Sequence, residues 1–143
     1  MLQVPEIWVA AAALLALQTG AFIWRIGREI DVAEKLGGIN WLPWADRMNM
    51  AAMVSSMAVF VFPLFLFARA AVLSEGAFLF SVMLSMGYPF AVASHYDLWC
   101  EGKRDYERGK RCGKIAVCIT LTLALFGLGI FLIRTLACSS RVS

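Results

Sequence analysis

The chain has 143 residues, of which 61% are hydrophobic and only 16% charged, with a formal net charge of +3. Soluble domains usually carry about 45–50% apolar and ~25% charged residues, so this composition argues against one. The basic residues alternate with acids and form no polybasic run, which argues against nucleic acid as a partner.

The apolar excess lies in four stretches that lack Asp, Glu, Lys, Arg and His: Ile7–Trp24, Met48–Ala68, Gly76–Ser94 and Ile115–Ile133. Each holds 18 to 21 residues. A helix needs roughly 20 mostly apolar residues to cross the ~30 Å hydrocarbon core of a bilayer. The expected fold is therefore an all-α membrane protein, a four-transmembrane-helix bundle forming a single domain over residues 1–143. The long loops, about 25–47 and 95–114, are too short to build a core of their own.

Met1–Glu6 carries no Lys or Arg, so the first run reads as a retained span rather than a cleaved leader. Pro5 and Glu6 suit a helix start. The pairs Arg25–Glu29 and Asp31–Lys35 at i,i+4 carry the helix past the bilayer, with Ile26, Ile30 and Ala33 as a short apolar stripe. Gly37–Gly38 supplies a stop, so helix 1 is expected from about Pro5 to Leu36. Trp41 and Trp44 flank Pro43 ahead of span 2 and read as headgroup-level anchors.

Span 2 is rich in Met (Met48, Met50, Met53, Met57) and repeats small residues four apart, Ala51/Ser55 and Ala52/Ser56. Small residues let helix backbones approach closely in lipid, so this marks a packing seam, internal or toward a partner. Pro63 is expected to kink the span. The connection Arg69–Glu75 is short, which makes spans 2 and 3 antiparallel neighbours, with Ser74 as the expected N-cap. Span 3 carries Ser81/Ser85 and the sequence Gly87-Tyr88-Pro89, an expected helix break.

His95, Asp97 and Cys100 follow, with Tyr96 and Trp99 as further interfacial anchors. This is the only cluster with ingredients for chemistry, because His titrates near neutral pH and Asp can orient it. A metal centre needs three or four ligands, and the chain has a single His. The i,i+5 spacing of His95 and Cys100 also suits a nucleophile pair poorly. No cofactor, metal or catalytic residue is expected. Span 4 places Ala116, Thr120 and Ala124 on one stripe, a second close-packing seam.

Charge gives an orientation. Ten of the 13 Lys and Arg residues lie between spans 1 and 2 or between spans 3 and 4, leaving Arg69, Arg134 and Arg141 on the other side. Cytoplasmic loops carry such an excess. Both termini are expected on the non-cytoplasmic side, with a bacterial inner membrane as the default location. There is no Cys-x-x-Cys of a four-span thiol–disulfide oxidoreductase and no membrane-embedded Glu of a small multidrug exporter. Gln18 and Asn49 are the most polar span residues and are expected to hydrogen-bond between helices.

The favoured function is an accessory, inhibitory or immunity-type subunit, working by contact with another membrane protein. One alternative is a small transporter or channel made by self-association. A second is an interfacial enzyme using His95 and Asp97.

Overall fold

A computed structural model of the chain describes residues 4–36, 42–65, 70–99 and 106–139. They form four helices: α1 (Val4–Leu36), α2 (Trp44–Phe65), α3 (Ala70–His95) and α4 (Tyr106–Ser139). Their lengths of 33, 22, 26 and 34 residues correspond to about 50, 33, 39 and 51 Å at 1.5 Å per residue. α1 and α4 thus overshoot a bilayer core by about 20 Å.

Three helices are long and apolar enough to cross a membrane: Pro5–Lys35, Ala71–His95 and Glu107–Ala137. Over its described residues α2 is not among them. Asp46, Arg47 and Asn49 fall in its first two turns and lower its hydropathy.

Local chemistry sets the helix ends. In α1, Glu6 sits at the positive end of the helix dipole and Lys35 at the negative end. The carbonyl of Pro43 accepts from the amides of Asp46 and Arg47, both at 3.1 Å, which starts α2 four residues ahead of the charge-free run. At the end of α3 the Asp97 amide donates to the Ser94 carbonyl and the Leu98 amide to the Ala93 carbonyl, both at 3.1 Å. With Asp97 at φ 56°, this is a Schellman cap in which Asp occupies the left-handed position that Gly usually fills.

The start of α3 departs from expectation. Ser74 is not an N-cap at the end of a loop, because α3 already begins at Ala70. Its hydroxyl instead donates across to the Val59 carbonyl in α2 at 3.2 Å. Val59 lies four residues before Pro63, so Pro63 removes the amide that would have bonded this carbonyl. A neighbouring helix replaces the missing donor, as apolar surroundings require. Both Pro63 and Pro89 lie inside continuous helices.

α2 and α3 pack along each other at the centre. α1 lies against both, α4 lies against both from elsewhere, and among the described residues α1 and α4 do not meet. Most of the core gathers where α2, α3 and α4 converge, around Met48, Ala52, Leu84, Ala91, Val117 and Ala124. A smaller cluster of Ile7, Ala11 and Val59 fixes the start of α1 against α2. The chain direction brings the end of α1, the start of α2, the end of α3 and the start of α4 to one end of the molecule.

Candidate functional site

The interior of this apolar bundle holds a seam of polar side chains where α1, α2 and α3 meet. Its inner tier centres on Gln18, which is 3% exposed. The Gln18 amide nitrogen donates to the hydroxyls of Ser81 (2.9 Å) and Ser85 (2.7 Å). Its amide oxygen accepts from Ser56 at 3.1 Å. Ser56 and Ser81 are 2.6 Å apart, and Ser81 also donates to the Ala52 carbonyl at 2.8 Å. Asn49 donates to the Gln18 backbone carbonyl at 3.0 Å. Gln18 and Asn49 thus bond between helices, as their polarity suggested. Each such bond contributes on the order of 0.6 kcal/mol in a membrane protein, but together they fix the register of three helices.

The outer tier is ionic. Arg25 is 1% exposed although it carries a full charge. Its guanidinium donates to both carboxylate oxygens of Asp46, at 3.3 and 3.1 Å. It also pairs with Glu29 one turn along α1 at 3.2 Å and donates to the Tyr96 hydroxyl. Tyr96 donates to Glu29 at 3.0 Å, and Tyr88 donates to Asp46 at 3.0 Å. Arg28 lies 4.8 Å from the centre of the Tyr96 ring. Two cations thus meet two carboxylates and two phenols. The planar fork of Arg suits this bidentate pairing, and near-zero net charge is the condition under which such a cluster can be buried.

His95 and Asp97 lie where α3 ends against the start of α4. Asp97 is held by Arg108 of α4 through contacts of 2.7 to 3.1 Å. His95 is 6% exposed, and its ring packs edge-on against Tyr96 with centroids 5.2 Å apart. α4 passes over its backbone so closely that a Cβ at Gly109 would fall 2.5 Å from the His95 carbonyl oxygen. The structure therefore brings Asp97 to Arg108, while Cys100 lies outside the described residues. Of the expected anchors, Trp44 is half-buried and Tyr96 belongs to the ionic tier. Trp99 is exposed and donates to the Ser94 hydroxyl at 3.1 Å. Trp41 lies outside the described residues.

The small residues of span 2 divide between two environments. Ala52 and Ser56 are fully buried inside the chain's own bundle, and Ser55 donates to the Ala77 carbonyl at 2.9 Å. Ala51 faces outward. On α4, Ala124 is buried, whereas Ala116 and Thr120 line an open groove of about 440 Å³ between α3 and α4. Met83, Met86, Gly87 and Phe90 form its α3 wall, and Ile119 and Leu123 complete the α4 wall. The floor is thin because Gly87 abuts Thr120, where an added Cβ would fall 2.8 Å from the Thr120 Cβ.

Sequence reasoning missed Arg25 with Asp46, and the inward role of Tyr88. The available signal was depth. Arg25 follows span 1 at once and Asp46 precedes span 2 by two residues, so an antiparallel hairpin sets them at one level.

Among the described residues, no fully buried side-chain nitrogen or oxygen lacks a hydrogen-bond partner. No three His, Cys, Asp or Glu side chains among them gather as a metal site. No protein-family model, curated protein or solved structure matches the chain.

Proposed function

We propose that this is a four-span integral membrane protein of a bacterial inner membrane that acts by contact rather than catalysis. It serves as an accessory or inhibitory subunit that takes a transmembrane helix of a larger partner into the α3/α4 groove. The observation that carries this reading is a contrast within one molecule. Its buried polar groups are satisfied by one another, whereas the apolar groove stays open to its surroundings. Gly87, Ala116 and Thr120 allow a helix backbone to approach, and Met83 and Met86 can adapt to its side chains.

The exposed groove rim gives a test that spares the core. Met86 and Ile119 are 69% and 55% exposed, so tryptophan at both covers the groove without overpacking the interior. Met86→Trp with Ile119→Trp is expected to abolish recovery of the partner in a mild-detergent pull-down from native membranes, at unchanged thermal stability. Full recovery would count against the groove. Recovery of the wild type alone, at a defined multiple of its mass, would move the reading to self-association and a transport path. The enzymatic alternative has less support, because the Asp97 carboxylate that would orient His95 is engaged by Arg108.

The proposed orientation follows from the basic end of the bundle. Arg25, Arg28, Lys35 and Arg47 share it with Arg108, Lys110, Arg111 and Lys114. Facing the cytoplasm, this end satisfies the positive-inside rule and puts both termini outside. A C-terminal alkaline phosphatase fusion, active only outside the cytoplasm, is then expected to be active. An inactive fusion alongside an active cytoplasmic reporter would reverse the orientation.

A further inference from the structure

At the basic end of the bundle, two cations from different helices converge on one indole. The Arg47 guanidinium of α2 lies 5.0 Å from the centre of the Trp44 ring, and the Lys114 ammonium of α4 lies 5.6 Å from it. Both side chains are exposed, while Trp44 is half-buried against the core, so the ring is a fixed platform and the charges face outward. Lys110 stands one turn before Lys114 on the same side of α4. Asp46, beside Arg47 in sequence, is turned inward to Arg25 and Tyr88.

Below the cations the surface changes character. Ala51 lies one turn beyond Arg47, Cys118 lies one turn beyond Lys114, and both are exposed. A small residue follows each charge, and Val54 and Leu125 beyond them are 66% and 58% exposed, so the surface here is apolar. Two exposed cations, a half-buried Trp and exposed apolar side chains one turn further along match one amphiphile. Basic pockets between transmembrane helices bind phosphate headgroups, and indole rings sit at headgroup level.

We infer that Arg47, Lys114 and Trp44 form a binding site for the phosphate headgroup of an anionic phospholipid, with an acyl chain laid over Ala51 and Cys118. The site uses the side of α4 away from the α3/α4 groove, so it stands or falls independently of the proposed partner contact.

The test is native mass spectrometry of the full-length protein titrated with phosphatidylglycerol, with phosphatidylcholine of the same acyl chains, and with inorganic phosphate. The wild type is expected to retain phosphatidylglycerol in preference to phosphatidylcholine. Arg47→Gln with Lys114→Gln is expected to weaken that binding by on the order of tenfold or more. Lys35→Gln with Arg111→Gln removes the same charge from exposed positions at the same end and is expected to change it little. Equal loss in the two double variants would overturn the site in favour of diffuse attraction. Equal retention of both lipids would overturn the role of the cations. Binding of inorganic phosphate as tight as that of the lipid would overturn the assignment to a lipid. A thermal melt of each variant shows that any loss arises in a folded protein.

Discussion

Asp46→Ala is expected to destabilise the protein by about 3–5 kcal/mol, the largest effect of any single substitution in the bundle. The cause is the charge left behind. Arg25 is 1% exposed and cannot reach water from its place between α1, α2 and α3. Without Asp46 it keeps Glu29 and Tyr96 but loses both oxygens of its bidentate partner. Tyr88 loses its acceptor in the same step. Thermal unfolding in detergent, together with the amount of protein accumulating in membranes, measures the loss. Removing both charges separates this cause from a loss of packing. Arg25→Met with Asp46→Leu should recover most of the stability, because replacing a buried ion pair by apolar groups of similar volume is often neutral. An unchanged melt for Asp46→Ala would mean that water reaches Arg25 and that the outer tier is not a buried cluster.

How far this tier could be read in advance shows where sequence patterning stops. The apolar runs are visible because exclusion of charge from hydrocarbon acts on each residue separately, over some 20 positions. Helix 1 could be followed to Leu36 because its i,i+4 pair and terminal glycines are local signals, and the structure pairs Arg25 with Glu29 as that spacing implied. The second partner of Arg25 depends on how two helices are rotated about their axes. Nothing local to Asp46 reports that, and it stands ahead of the charge-free run rather than within it. Ser74 failed for the same reason. As a residue before an apolar run it resembles a cap, and its role as donor to Val59 exists only once Pro63 of α2 lies beside it. Small residues were ambiguous by nature. Ala52 and Ala116 carry the same signal, yet one packs inside the bundle and the other lines an open groove.

Polarity that is satisfied inside and a groove left open outside are two consequences of one packing choice. With α2 and α3 central, α1 covers the polar seam and, among the described residues, does not reach α4. The inner tier then works as a register lock. Sliding α1 along α2 and α3 would part Gln18 from Ser56, Ser81 and Ser85 together, in surroundings where no water replaces them.

The joint between α3 and α4 is the second place where one substitution should have a large effect. Gly109→Val is expected to destabilise the protein by about 1–3 kcal/mol or more, with loss of the α4 start as the structural result. A Cβ at this position meets the His95 carbonyl oxygen at 2.5 Å and its carbon at 3.3 Å. The obstacle is backbone, and that backbone is fixed on both sides: His95 is the last residue of α3, and the Schellman cap follows at Asp97. The side chain therefore cannot be accommodated by a rotamer change, and α4 must lift away from α3. Lifting α4 would strain the Asp97–Arg108 pair, which joins the cap to α4 one residue before the glycine. Thermal melts of Gly109→Ala and Gly109→Val, set beside Gly129→Ala, give the comparison. A Cβ at Gly129 meets nothing within 4 Å, so that change should be neutral or slightly stabilising through helix propensity. The close-packed joint predicts a graded loss from Ala to Val at 109 and none at 129. Equal melts for all three would show that α4 rides clear of His95.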